Sequence, residues 1–392
     1  MPRTSRTLAA VGAAAIVAAI GWLLPTGGSA PAADPVPTPE ERAAATAARL
    51  ADAGIVDVPV AFTVTNDNRS LLPCNSDGRE YTLSGHLTAP AEVLAAEDPG
   101  ITLYQHGQAA GEWFWRLDRP GSHHAEEMAR LGQASLTLDR LGYGDSEHPD
   151  GMAMCLGGQA DMTAQVIAAL RTGDYEADEG TADGADLPGD APGFGRVALA
   201  GHHNGAQIAQ ITAYSFDGAE APDALVLMGW SGTGLTDRAN ARFFGGLASC
   251  MQGGVPAEAE AGPPATDEEE AAGYAYVDVG RVNFVAAGFH DTSSEAASLA
   301  APLQDRTPCG DLGTQVEALA TDTRHLDAID VPVFFAFADA DTRVADGPDH
   351  VERFTGAAET HVVTVADAGH YFVLEPAAER VRTELAAWLE ER

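Results

Sequence analysis

Residues 197–208 read Val197-Ala198-Leu199-Ala200-Gly201-His202-His203-Asn204-Gly205-Ala206-Gln207-Ile208. A short apolar run meets a glycine-framed pentapeptide and passes into a stretch of helical character, so the segment reads as buried strand, tight turn and helix. Glycines at both ends of the turn leave room for strand and helix to pack where a Cβ would intrude. Residue 203 sits at the middle of this turn.

The pattern repeats outward from this segment. Apolar runs at Ile101–Tyr104, Ala134–Leu138, Val197–Ala200, Ala224–Met228, Val331–Ala336 and Val362–Val365 are buried-strand candidates. Between them lie the helical stretches His123–Leu131, Ala160–Leu170, Ala206–Phe216 and Pro376–Glu391. In the last, Val381, Leu385, Trp388 and Leu389 share one helical face. Alternating strands and helices predict an α/β fold, a mostly parallel sheet covered on both faces. Val58–Val64 and Tyr81–Leu87 alternate apolar and polar residues, predicting two antiparallel strands at a sheet edge.

Two stretches break the alternation. Residues 172–195, rich in Gly, Asp and Glu, read as an exposed acidic loop; Asp174, Glu176 and Asp178 lack the glycine and closing Glu of a calcium loop. Residues 231–325, with the acidic run Asp267–Glu270 and the aromatics Tyr274, Tyr276, Phe284 and Phe289, are too long for a loop and predict a mainly helical insertion.

The 392 residues carry 22 Lys+Arg against 58 Asp+Glu, a formal charge of -36, which would repel a nucleic-acid backbone or an anionic lipid surface. All the basic residues are Arg, which removes chemistry that needs a lysine, such as Schiff bases and P-loop phosphate binding. Arg3 and Arg6 precede an apolar stretch from Leu8 to Leu24 and then small residues, the order of a secretory signal. Cleavage near Ala30 to Ala33 is expected in preference to an uncleaved N-terminal anchor, giving a secreted or extracytoplasmic protein with no stable membrane partner after cleavage. The four cysteines Cys74, Cys155, Cys250 and Cys309 lack metal-knuckle or redox spacing and predict two disulfides, for which three pairings exist. Cys250 and Cys309 share the insertion, which favours that pair and leaves Cys74 with Cys155.

Four blocks in order resemble the α/β-hydrolase superfamily. Gln105-His106-Gly107-Gln108 is similar to its oxyanion loop, and Asp139-Arg140-Leu141-Gly142-Tyr143-Gly144-Asp145-Ser146 to its D-x-R-G-x-G-x-S turn. Gly201–Gly205 is similar to its G-x-S-x-G nucleophile elbow, and Asp367-Ala368-Gly369-His370 to its histidine block, with Asp341 after a strand as the acid. The residue patterns give a signal peptide over 1–32 and a linker and short helix over 33–56, and the resemblance implies a core over 57–230 and 326–392 with a cap insertion over 231–325. It implies the backbone N–H groups of Gln108 and Asn204 as the oxyanion hole.

The chain departs from the family at the centre, where His203 stands in place of the nucleophilic serine. Three readings follow. An atypical hydrolase would use His203, His370 and Asp341 on small apolar esters or related acyl compounds, with His203 attacking or positioning a water that His370 activates. A non-catalytic relative would bind a small apolar ligand under the cap. A divalent metal would take His203 and His370 with His106 or His202, although no HxH or HExxH spacing supports this and no cofactor is expected. His370 is expected within hydrogen-bond reach of residue 203, with Asp341 behind it. His106 is expected to fix the oxyanion loop, His202 to face away from the pocket, and the His123-His124 pair to lie at the surface. Trp113, Phe114 and Trp115 are expected in the core or pocket wall, and Ser231 in a loop after its strand. Substrate identity and oligomeric state are not encoded in any of these patterns.

Overall fold

The computed structural model describes residues 37–177, 187, 191–233, 235–254 and 272–392. The expected signal peptide, the acidic run Asp267–Glu270 and the residues around Asp178 lie outside these. Within Pro39–Arg392, one unit by its contacts, the elements run in this order: α1 (Pro39–Asp52), β1 (Ile55–Thr65), β2 (Glu80–Pro90), α2 (Ala91–Leu94), β3 (Gly100–Gln105), α3 (His124–Arg130), β4 (Ser135–Leu138), α4 (Leu156–Thr172), β5 (Glu176–Ala177), β6 (Arg196–His202), α5 (Asn204–Ser215) and β7 (Ala224–Met228). There follow α6 (Asp237–Cys250), β8 (Tyr274–Ala275), α7 (Arg281–Gly288), α8 (Glu295–Ala300), β9 (Thr307–Pro308), α9 (Cys309–His325), β10 (Val333–Ala338), α10 (Gly347–Val351), β11 (Thr360–Val365) and α11 (Ala378–Glu390).

Nine strands form one sheet in the order β11-β10-β7-β6-β3-β4-β2-β1-β5. The six from β11 to β4 are parallel, while β2, β1 and β5 are antiparallel at one edge. The apolar runs are continuous because both faces are covered. Leu199, Leu225, Leu227 and Phe335 pack with Ile208 and Ile211 of α5 and Val166 and Ile167 of α4. Ala200, Val226 and Phe334 join the opposite layer with Met128 of α3 and Val381, Leu385 and Trp388 of α11. In β1 the alternation is real, with Val58, Val60, Phe62 and Val64 inward and Pro59 and Thr63 outward.

The described residues between β7 and β10 are mainly helical, as expected, with a two-stranded β8–β9 ribbon. Its last helix, α9, lies on α4 and α5. Asp322 of α9 accepts from Gln207 Nε2 at 3.0 Å and from Tyr214 Oη at 2.9 Å, both on α5. Both disulfides form as expected, Cys74–Cys155 with Cα atoms 6.2 Å apart and Cys250–Cys309 at 5.4 Å. Among the described residues no helix is long and apolar enough to cross a membrane.

Candidate active site

β6 ends at His202 and α5 begins at Asn204, leaving His203 alone at the apex with φ 55° and ψ -126°. A side chain that is not glycine costs free energy in this region, so surrounding contacts must hold it there. His203 N–H donates to Met228 O at the end of β7, 2.9 Å away. A Cβ at Gly201 would overlap the Gly205 backbone, and one at Gly205 would overlap the carbonyls of Gln105 and His106. Gly107 faces the apex, where an added Cβ would come 2.8 Å from His203 Cβ. The glycine frame therefore presses elbow and oxyanion loop together.

Asp341 and His370 follow β10 and β11 and meet as expected: His370 Nδ1 donates to Asp341 Oδ2 at 2.8 Å, with both side chains buried. That bond leaves the lone pair on His370 Nε2, which is buried without a partner among the described residues. The ring of His203 lies edge-to-face with His370, centroids 5.0 Å apart. The expected hydrogen bond between the two is absent. Instead Arg343 Nη1 donates to His203 Nε2 at 3.2 Å, which places the ring proton on His203 Nδ1. Burial and the adjacent guanidinium hold His203 well below the usual imidazole range, so it is neutral. Burial also lowers His370, against the pull of Asp341, whose own carboxyl lies below its usual value because it faces His370.

Arg343 was not singled out by sequence. It sits two residues past Asp341, whose Oδ1 accepts the Arg343 N–H at 2.7 Å. Its Nη2 binds Asp278 Oδ2 at 2.7 Å, and Asp278 meets Arg242 Nε of α6 at 2.7 Å. The histidine loop has a second unanticipated support in Glu375, whose carboxylate accepts from Gly369 N–H at 2.6 Å and His290 N–H at 2.8 Å. Nothing in the sequence around Glu375, five residues past His370, marked it.

The other histidines take structural places. His106 accepts from Arg140 N–H at Nε2 (3.1 Å) and donates from Nδ1 to Gly107 O (2.9 Å), fixing the oxyanion loop as expected. With both nitrogens engaged it has none for a metal. His202 turns below the apex, donating from Nε2 to His370 O at 2.8 Å and stacking on Phe114 at 4.5 Å. Among the described residues no group of three or more His, Cys, Asp or Glu side chains is placed to hold a metal ion. The His123-His124 pair corrects the surface expectation. His123 caps α3 by accepting Glu126 N–H at 3.0 Å, and His124 is wedged beside Tyr104 and Trp115. A polar pair opening a helix is buried here because one ring serves the cap and the other fills an aromatic layer.

The N–H groups of Gln108 and Asn204 bond to no group among the described residues, and Asn204 N–H lies at the N-terminus of α5, where partial positive charge gathers. Ala109, next to Gln108, also has positive φ (60°), and Thr307 Oγ1 accepts its N–H at 3.3 Å. Asn204 Oδ1 accepts from Arg140 Nη2 at 3.3 Å, and Arg140 binds Asp311 Oδ2 of α9 at 3.1 Å. Asp139, in the turn before Arg140, accepts from Glu112 and Asp145 N–H. Burial beside Glu112 pushes its carboxyl up to about 8. Trp230, following β7, stands over His203 with centroids 6.0 Å apart. Ser231 lies in the loop after β7, bonded to Thr233 and Asp346 O. A separate groove of about 570 Å³ runs past Ile101, Ala198, Ala224, Arg196 and Leu389. It lies at the N-terminal ends of the strands, whereas sites in parallel sheets form at the C-terminal ends.

No protein-family model matches the chain, and no curated protein matches it. Solved structures do. A hydrolase from Pseudomonas aeruginosa PA01 superposes with a TM-score of 0.51 at 18% identity, covering 83% of this chain and 98% of that one. The enol-lactonase from Burkholderia xenovorans LB400 gives 0.51 at 14% identity over 79% and 97%. A bacterial membrane phospholipase A gives 0.51 at 17% identity over 89% and 90%. At these identities the likeness is one of fold, and the fold is that of the α/β-hydrolases.

Proposed function

We propose that this is an exported hydrolase of small esters or related acyl compounds in which the Asp341–His370 pair activates water. The observation that carries the proposal is His370 Nε2: buried, unpartnered, and left with its lone pair by the bond from Nδ1 to Asp341. His370 takes a proton from water as the oxygen attacks the acyl carbon, and the N–H groups of Gln108 and Asn204 receive the oxyanion. The imidazolium, faced by Asp341, then returns the proton to the leaving alkoxide, releasing acid and alcohol. His203 does not attack in this scheme, because Arg343 occupies the lone pair of its Nε2. His203 instead offers Nδ1–H beside the reacting centre. Export rests on the charged, apolar and small-residue order at the N-terminus, and two disulfides suit that compartment.

A second reading, a non-catalytic ligand binder, is favoured by the burial of both rings, with His203 only 7% exposed and His370 0%. Hydrolysis of a panel of short activated esters by the wild type and by His370→Ala separates the two. The proposal expects wild-type turnover lost in the variant; equal rates in both proteins would favour the binder.

A further inference from the structure

Around His203, unpartnered donors outnumber unpartnered acceptors among the described residues. Unpartnered and buried are His203 Nδ1, Arg343 Nε, Asn204 Nδ2, Trp230 Nε1 and the Tyr371 hydroxyl, together with His370 Nε2. The first four are donors, because His203 Nε2 and Asn204 Oδ1 already accept from Arg343 and Arg140. Two are obligate acceptors, His370 Nε2 and, beside it, Nδ1 of His202, whose Nε2 donates to His370 O. The charges favour an anion at the apex. Guanidinium groups stand next to the apex, Arg343 in contact with His203 and Arg140 with Asn204, while each carboxylate stands behind a donor. Asp278 is behind Arg343, Asp311 behind Arg140 and Asp341 behind His370.

Unmet buried donors cost free energy, so a surplus of them is complementary to a ligand that only accepts. Serine esterases of neutral substrates need two backbone donors for a transient oxyanion; a guanidinium fixed between the apex and Asp278 offers a permanent positive charge. A carboxylate is acceptor-only and matches a guanidinium in geometry and charge. The side chains packed around these groups are aromatic: Trp230 beside His203, Tyr371 under Arg343 at 6.0 Å, and Phe284 beside Tyr371 at 5.6 Å.

We infer that the elbow selects monocarboxylates with an apolar, aromatic-sized body, and that Arg343 is the residue that makes this selection. The inference rests on the proposal that the elbow is the ligand site, and it replaces the neutral apolar ligand expected from sequence with an anionic one. Whether the acid arrives as part of a substrate or is the product of hydrolysis, the recognised group is the same.

The test is calorimetric titration of the full mature protein with phenylacetate and with phenylacetamide, a neutral isostere. Phenylacetate should bind at least tenfold more tightly to the wild type. Arg343→Gln should remove that preference while leaving the amide unchanged, and Arg343→Lys should restore part of it. Equal binding of acid and amide, or undiminished preference in a folded Arg343→Gln protein, would overturn the inference. The wild-type comparison decides the matter if the buried substitution prevents folding. Neutral-ester hydrolysis followed in parallel keeps the two proposals apart. Hydrolysis lost with acid preference intact supports this inference and removes the catalytic reading, whereas hydrolysis without acid preference overturns this inference alone.

Discussion

Arg343 Nη1 lies 3.2 Å from Nε2 of His203, so the side chain at the elbow has its lone pair bound to a fixed cation. A nucleophile must present that lone pair to an acyl carbon, and a hydrogen bond from a guanidinium withdraws it. The apex thus keeps the turn geometry of the fold while its side chain has no free lone pair on Nε2.

Serine-directed fluorophosphonate probes therefore should not label the wild-type protein. His203→Ser should gain labelling, because Gly201, Gly205 and the Asp341–His370 pair already hold the apex where a hydroxyl would meet His370 Nε2. Gel fluorescence followed by peptide mapping checks this, and labelling of the wild type at any serine would show another nucleophile.

The pH dependence of hydrolysis should follow His370. Its pKa is lowered by burial, so the ring is neutral and able to accept a proton throughout the neutral range. The rate should be flat above pH 6.5, the ordinary imidazole value, and fall only in acid. Asp341→Asn should lower the rate by about 10² to 10⁴, because the amide no longer holds the proton on Nδ1. A rate that rose on acidification would contradict the assignment of His370 as base.

The elements that position the site were legible because local patterns specify them. The glycine frame at 201–205 announces a close strand–helix approach, and Asp341 and His370 are marked by the strands before them. β10 begins at Val333, two residues past the start expected from the apolar run, since Val331 precedes Pro332 and Pro332 has no N–H to contribute to the ladder. What sequence did not disclose is the link from His203 through Arg343 and Asp278 to Arg242. Those residues lie in four separate segments, and nothing local to any of them signals a buried ion pair. His124 is buried for a related reason, since its partners Tyr104 and Trp115 are brought to it only by packing, whereas His123 is held by the local cap to Glu126 N–H.

Stability should depend on Asp139 above neutrality. With its carboxyl pushed up to about 8, the folded protein retains a proton that the unfolded chain loses near the ordinary value of 3.8. The contribution is complete below 3.8 and is lost as pH rises through 8, with a limiting slope of about 1.4 kcal/mol per pH unit. Asp322, raised to about 7, has lost most of its effect by then, and the lowered histidines act only below about 6.5. The melting temperature should therefore fall between pH 7 and 8.5 more steeply in the wild type than in Asp139→Asn, where the raised carboxyls of buried Asp305 and Asp311 remain. Circular dichroism melts of the two proteins measure this.

The Cys250–Cys309 bridge joins the end of α6 to the start of α9, holding the Arg242 and Asp311 contacts in one frame. Replacing both cysteines by Ala should cost about 2 to 4 kcal/mol in denaturant unfolding. It should weaken phenylacetate binding through loss of the Asp278–Arg242 support more than it disturbs the Asp341–His370 pair. A stability loss with unchanged binding would place the bridge outside the site's support.

The most direct test of direct water attack is stopped-flow hydrolysis of 4-nitrophenyl acetate by wild-type protein in excess substrate, with His370→Ala alongside and intact mass measured during turnover. The account predicts linear release of 4-nitrophenol from the first turnover, loss of that release in His370→Ala, and no acyl adduct on the wild type. An initial burst with a trapped acyl group on His203 or on any serine would contradict it.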